Sequence, residues 1–179
     1  MRILPWLAVL LAPAYADVRS CLCDVARPET LTPRECSLCK AAEAQPPEHA
    51  FFVLRDANPN KPHRWLALPR FHGTNPQRLA DFTPEQRTAY WTFAIAKGHE
   101  FFGDAWGLAL NSLERRTQCH AHIHIGKLLD GVENDSFTVV DGPADIPLPR
   151  DGDGLWVHPS GGKLHVHTGD PAPELLLER

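Results

Sequence analysis

The chain lacks the excess of positive charge that would draw it to nucleic acid. Its 18 lysines and arginines stand against 22 aspartates and glutamates, a net charge of −4. The same balance gives no general attraction to an anionic membrane, although local basic groups can still meet phosphates. Beyond residue 11 no apolar run is long enough to cross a bilayer, because charge or proline breaks each one. No basic amphipathic helix stands out that would hold the chain to a membrane surface. There is no internal repeat and no low-complexity tract, which excludes a repeat array. A regular β–α alternation is also missing, so a layered parallel sheet is not expected. Strands with one main helix indicate an α+β fold with an antiparallel sheet.

What is present starts with an unusual N-terminus. "MRILPWLAVLLAPAYADV" has one arginine, a short apolar run from Ile3 to Leu11 and then "AYA". This is the pattern of a signal peptide over residues 1–16, cleaved after Ala16. It implies a periplasmic or secreted protein; a retained short anchor is the alternative. The 179 residues suit one domain, and 17 prolines indicate long irregular connections between apolar runs. Residues 17–49 read as a Cys/Pro-rich segment packed on the core, and 50–179 as the main domain. Five cysteines occur, Cys21, Cys23, Cys36, Cys39 and Cys119. In an exported protein they suggest disulfides, and an odd number leaves one thiol over. "CSLC" is also a metal-ligand spacing, so both readings stand.

Strands are expected at 50–56 ("AFFVLRD"), 63–71, 105–112 ("AWGLALNS") and 118–128 ("QCHAHIHIGKL"). The clearest helix opens at "TPEQ": Thr83 is a good N-cap, Pro84 suits the first helical position and Gln86 completes a capping box. Apolar spacing carries it to about Phe102. "LWVHPSGGKLHVHTG" reads as a β-hairpin turning at Ser160 to Gly162, and residues 170–179 as a fraying tail.

The informative stretch is "TQCHAHIHIG". On a regular strand His120, His122 and His124 share one face, about 7 Å apart, while Ala121, Ile123 and Ile125 share the other. The second face can pack on a core. Three imidazoles on the first can bind metal, attack an electrophile or bind an anion. Cys119 then points away from the histidines as a small core residue.

"HAHIHI" resembles the signature of the histidine-triad (HIT) superfamily, in which three histidines alternate with apolar residues. Gly126 and Lys127 depart from that pattern at its end. The order of a Cys-x-x-Cys, two strands, a helix, an asparagine-bearing strand and the triad is similar over roughly residues 36–128. "LALNSLERRTQCHAHIHI" looks most like the bacterial CDP-diacylglycerol pyrophosphatases. The C-terminal third does not follow that family clearly.

The resemblance implies a HIT-like antiparallel sheet and a nucleotide hydrolase or transferase. His122, the middle histidine, would attack a phosphorus next to a nucleoside 5′-oxygen and form a phosphohistidine. His124 and Gln118 would meet the phosphoryl group, with Asn111, Arg116 and Thr117 binding substrate. The partner would be a nucleotide-containing small molecule or a nucleotide-activated lipid, and many members of the superfamily are dimers. The chemistry needs no cofactor. Some members carry a structural zinc, and the matching ligands here are Cys36, Cys39, His72 and His120, a standard closed set. Disulfides among Cys21, Cys23, Cys36 and Cys39, or a Cys₄ site, compete with it. His63, His158, His165 and His167 have no firm role at this level, though a second metal site on the hairpin is one option. The rival function is a non-catalytic exported protein that binds zinc or copper on the same fold.

Overall fold

The computed structural model describes Val18 and residues 21–179, so the expected signal peptide lies outside the described residues. The fold is α+β. Seven strands among the described residues form one antiparallel sheet: β1 (Phe51–Arg55), β2 (Trp65–Pro69), β3 (Trp106–Leu110), β4 (Ile123–Lys127), β5 (Thr138–Val140), β6 (Leu155–Ser160) and β7 (Lys163–Thr168). Their order across the sheet is β1-β2-β4-β3-β6-β7-β5. Two α-helices accompany them, α1 (Ser37–Glu43) and α2 (Pro84–Phe102). No described helix is long and apolar enough to cross a membrane.

α2 begins where its capping signals place it. The Thr83 side chain accepts from the Gln86 backbone N–H, and the Gln86 side chain accepts from the Thr83 N–H. Two of the four unsatisfied donors at a helix start are thereby paired. α2 covers one face of the sheet, burying Tyr90, Trp91 and Ala94 against Ala67, Leu108, Ile123, Ile125 and Val157. Full burial of each large apolar side chain contributes roughly 1.5–3 kcal/mol. The Tyr90 hydroxyl, wholly buried, donates to the Ala67 carbonyl at 2.7 Å.

The opposite face has two covers. α1 lays Leu38 and Ala42 on Phe52, Leu66 and Leu68. Seven residues are too few to show a helical period, which is why α1 was not legible in the sequence. The second cover is the C-terminal segment, which does not fray. Leu177 is buried against Ala109 and Trp156. It fits because Gly107 and Gly126 face each other across β3 and β4. A Cβ on Gly107 would stand 2.6 Å from a Leu177 methyl, and one on Gly126 would stand 3.1 Å from the Leu177 Cβ. Gly126, the departure from the triad pattern, is therefore the seat of the tail.

Arg64 locks this seat. Its side chain, 1% exposed, donates to the carbonyls of Leu177 and Glu178 at 2.8–3.1 Å. Glu174 lies 3.5 Å from its guanidinium and pairs with Lys61.

β6 and β7 pair antiparallel from Leu155↔Thr168 to Ser160↔Lys163, and Gly161 and Gly162 take the positive φ values that the two-residue turn requires. β5 was not anticipated; its three residues add to β7 at the sheet edge.

Two disulfides fasten the N-terminal segment, Cys21–Cys119 and Cys23–Cys36, and Cys39 is a buried free thiol. Cys119 is thus a crosslink and not a lone core residue. Arg64→Ala is expected to cost roughly 2–4 kcal/mol, since it strands the buried carbonyls of Leu177 and Glu178 and leaves a cavity under the tail. Urea unfolding measures the loss, and limited proteolysis should show the last ten residues released.

Candidate functional site

β4 starts only at Ile123, so the expected strand over 118–128 is shorter than its pattern. Residues 116–122 approach it as irregular chain, and their polar groups are satisfied by other means. Cys119 N–H donates to the Glu35 carbonyl. The Cys119 carbonyl accepts from the Gln77 N–H and from Arg116. Ala121 N–H donates to the Gln77 side chain at 3.0 Å, and the His120 carbonyl accepts from His122 Nδ1 at 2.9 Å.

Because 120–122 is not strand, the three histidines do not share one face. His120 turns away toward His72, with ring centroids 4.9 Å apart, and its Nε2 donates to the Pro69 carbonyl at 2.7 Å. His122 and His124 remain together, with centroids 4.9 Å apart.

These two rings line a cleft of about 650 Å³ on the face opposite α2. Asn111, Thr117 and Gln118 line the same cleft, together with Glu174 from the tail. Residues expected from scattered positions are thus brought to one place. An apolar wall comes from Leu38, Ala41, Leu54 and Leu66, and cationic side chains from Arg34, Arg55, Lys61 and Arg115. Sequence reading missed Glu174 and Lys61, since only folding brings the tail and the β1–β2 loop to the histidines. His63 is exposed and does not line the cleft.

The His122 tautomer is set by its surroundings. Nδ1 carries the proton given to the His120 carbonyl, which leaves Nε2 with its lone pair for the cleft. Burial, reinforced by the nearby Arg116 guanidinium, pushes His122 down to about 4, so the ring is neutral at pH 7. His124 is also held neutral, by burial and then by His122. Both of its ring nitrogens are buried without a hydrogen bond, and Glu174 stands 3.5 Å from Nδ1. An unpaired buried N–H costs about 1–3 kcal/mol, which an incoming acceptor would recover. Ligand atoms of Asp56, His124 and Glu174 lie within 4.8 Å of one another, so a cation would find three donors here.

Two other polar groups of the cleft also hold its frame. Arg116 was expected to bind substrate. It lines the cleft, and its guanidinium also donates to the carbonyls of Gln77, Gln118 and Cys119, the first at 2.7 Å, because buried N–H groups need acceptors. Arg116 clamps the loop that carries the histidines. Asn111 accepts from the Glu174 N–H through its side-chain oxygen, so its NH₂ is what it offers the cleft. Gln118 accepts from the Ser37 hydroxyl at 3.0 Å, which ties α1 to the site.

The four-ligand zinc set does not fit. The Cys36 sulfur is bonded to Cys23 and has no lone thiolate to give. Cys39, His72 and His120 do keep ligand atoms within 4.8 Å of one another. His72 Nε2 is engaged by Glu43 at 2.8 Å, and burial pushes the Cys39 thiol up to about 11.

Fold and site together define an α+β domain with a paired-histidine cleft. No protein-family model and no curated protein matches the chain. Among solved structures, the crystal structure of a DUF4931 family protein from Bacillus cereus ATCC 10987 at 2.65 Å resolution is similar. It is 13% identical with a TM-score of 0.46, over 72% of this chain and 88% of that chain.

The buried neutral histidines set a pH dependence of stability. His122 and His167 titrate near 4 and His120 near 3, against 6.5 when unfolded. Below 6.5 the unfolded chain binds more protons, so stability is full above 6.5 and declines as pH falls toward 4. Urea unfolding between pH 7 and 4.5 should show uptake of more than one proton. A flat profile would mean that these rings are hydrated.

Proposed function

We propose that this protein is an exported HIT-type nucleotide hydrolase or transferase, acting through a phosphohistidine on His122. The observation that carries the reading is the fixed tautomer of His122, with Nδ1 on the His120 carbonyl and Nε2 left to a cleft it shares with an unpartnered His124.

In the first step the Nε2 lone pair attacks a phosphorus bonded to a nucleoside 5′-oxygen. The N–P bond forms as the phosphoanhydride or phosphoramidate bond breaks, and the leaving group departs with the bonding pair. The positive charge that develops on the imidazole is stabilised by the His120 carbonyl, which already accepts from Nδ1. Water then attacks the phosphorus. The N–P electron pair returns to Nε2, the water proton passes to solvent, and a nucleoside monophosphate is released. Dividing one displacement into two lowers the barrier of each.

His124, Gln118, Asn111 and Thr117 would donate to phosphoryl oxygens. Lys61, Arg115 and Arg34 add positive charge at the mouth, and the apolar wall on α1 and β2 suits a base. A nucleotide-activated lipid such as CDP-diacylglycerol is one substrate of this class, and a soluble nucleotide conjugate is another. The rival reading, metal sequestration without catalysis, gives His122 no task.

The test is nucleoside monophosphate release from CDP-diacylglycerol, a dinucleoside polyphosphate and an adenosine phosphoramidate. His122→Ala should abolish release although the variant still folds, as its far-UV circular dichroism at the assay temperature checks. Release that survives the substitution rules out the covalent assignment. Because His122 is neutral down to about 4, kcat/KM for an active substrate should show no acid limb near 6.5. Its loss should come only as pH approaches 4, where protonation removes the nucleophilic lone pair.

A further inference from the structure

A second histidine cluster lies outside the cleft, on β6 and β7. His158 faces His165 across the hairpin, and Trp156 faces His167. Glu133, on the loop between β4 and β5, reaches the same place. None of the four ionisable residues lines the cleft.

The atoms converge. Ligand atoms of Glu133, His158 and His165 lie within 4.8 Å of one another. His158 Nε2 is 3.5 Å from Glu133 Oε1 and 3.3 Å from His167 Nε2. Donors about 2.1 Å from a tetrahedral zinc are separated from each other by about 3.4 Å, so these two spacings are those of neighbouring ligands. His165 Nδ1 is 2.6 Å from the same carboxylate oxygen. That contact is a direct hydrogen bond, which an ion would open.

The tautomer of His158 points the same way. Its Nδ1 donates to the Pro159 carbonyl at 3.2 Å, so Nε2 carries the lone pair. That lone pair faces His167 Nε2 at 3.3 Å and Glu133 at 3.5 Å, the place a shared cation would occupy. Metal-ligating histidines are held in this manner, with the second nitrogen on a backbone carbonyl. Neighbouring rings fix the others: His167 stacks on Trp156 at 3.6 Å and His165 on Phe137 at 4.0 Å. His167 is buried and its Nδ1 has no partner.

We propose that Glu133, His158, His165 and His167 bind one divalent transition-metal ion of the zinc type. Imidazole with a single carboxylate suits such ions over calcium or magnesium, which take oxygen donors. The ion fastens the β4–β5 loop to the edge of the sheet, where β5 contributes only three residues. The half-exposed Glu133 carboxylate gives it an entry path.

The test is titration of chelator-stripped full-length protein with Zn²⁺ and with Co²⁺. Wild type, Cys39→Ala, Glu133→Gln and His165→Ala are compared. Metal-free Glu133→Gln and His165→Ala should both keep the wild-type far-UV circular dichroism, which shows that a loss of binding is not a loss of fold. One zinc per chain should bind to wild type and Cys39→Ala alike, and bind at least about tenfold more weakly in each of the other two. Co²⁺ on Cys39→Ala should give visible d–d bands without a thiolate charge-transfer band. Equal binding by wild type, Glu133→Gln and His165→Ala overturns the proposal. So does a wild type whose only bound metal is lost in Cys39→Ala, or which binds none. Nucleotide hydrolysis is not a readout, so this result stands apart from the reading of the cleft.

Discussion

The buried guanidinium of Arg116, together with Gln77, is the constraint on which the site depends. The chain entering β4 has no strand ladder to hold it until Ile123. Its carbonyls at Gln118 and Cys119 take the donors of Arg116, and Gln77 holds Cys119 and Ala121 from the other side. Only then does the His120 carbonyl stand where His122 Nδ1 can use it. With four of its five N–H donors on backbone carbonyls, this arginine contributes geometry and electrostatic field. Its charge helps keep His122 neutral, which a nucleophile at phosphorus requires.

Around that fixed segment, the cleft is made by elements that belong to different parts of the chain. α1 supplies an apolar wall and is tied to Gln118 through Ser37. The C-terminal tail supplies Glu174, pinned by Lys61 and Arg64. The arrangement leaves His124 neutral and unpartnered beside a carboxylate, with cations at the rim. On the reading proposed above, phosphate oxygens would supply acceptors to His124, whose ring nitrogens have no hydrogen bond.

The cysteines and histidines divide their labour in a way their spacing conceals. "CSLC" has the spacing of a metal pair, yet Cys36 is crosslinked to Cys23 and only Cys39 keeps a thiol. Cys119, next to the first triad histidine, ties this part of the chain to Cys21. Three donors remain around His120, and another group gathers on the hairpin around His158. Spacing along a chain lists eligible ligands, but partner choice depends on which sulfur or nitrogen lies nearest after folding.

The sequence by itself determined the α+β class, the start and end of α2 and the main strands of the sheet. Capping, helical spacing and alternation are local signals, written over a few residues. It also identified His122, His124, Asn111, Thr117 and Gln118 as companions, through a motif whose members lie close together in the chain. Tertiary structure decided the rest. Burial made Arg116 a clamp on the loop that carries the histidines, since a buried guanidinium needs acceptors for its donors. The non-strand geometry of 120–122 separated His120 from the other two histidines. Packing of Leu177 over Gly107 and Gly126 brought the tail onto the sheet, and with it Glu174 to His124. Several of these outcomes join groups far apart in the chain, Gln77 with Arg116 across 39 positions and Pro69 with His120 across 51, and no local pattern encodes which distant group will fill a given gap.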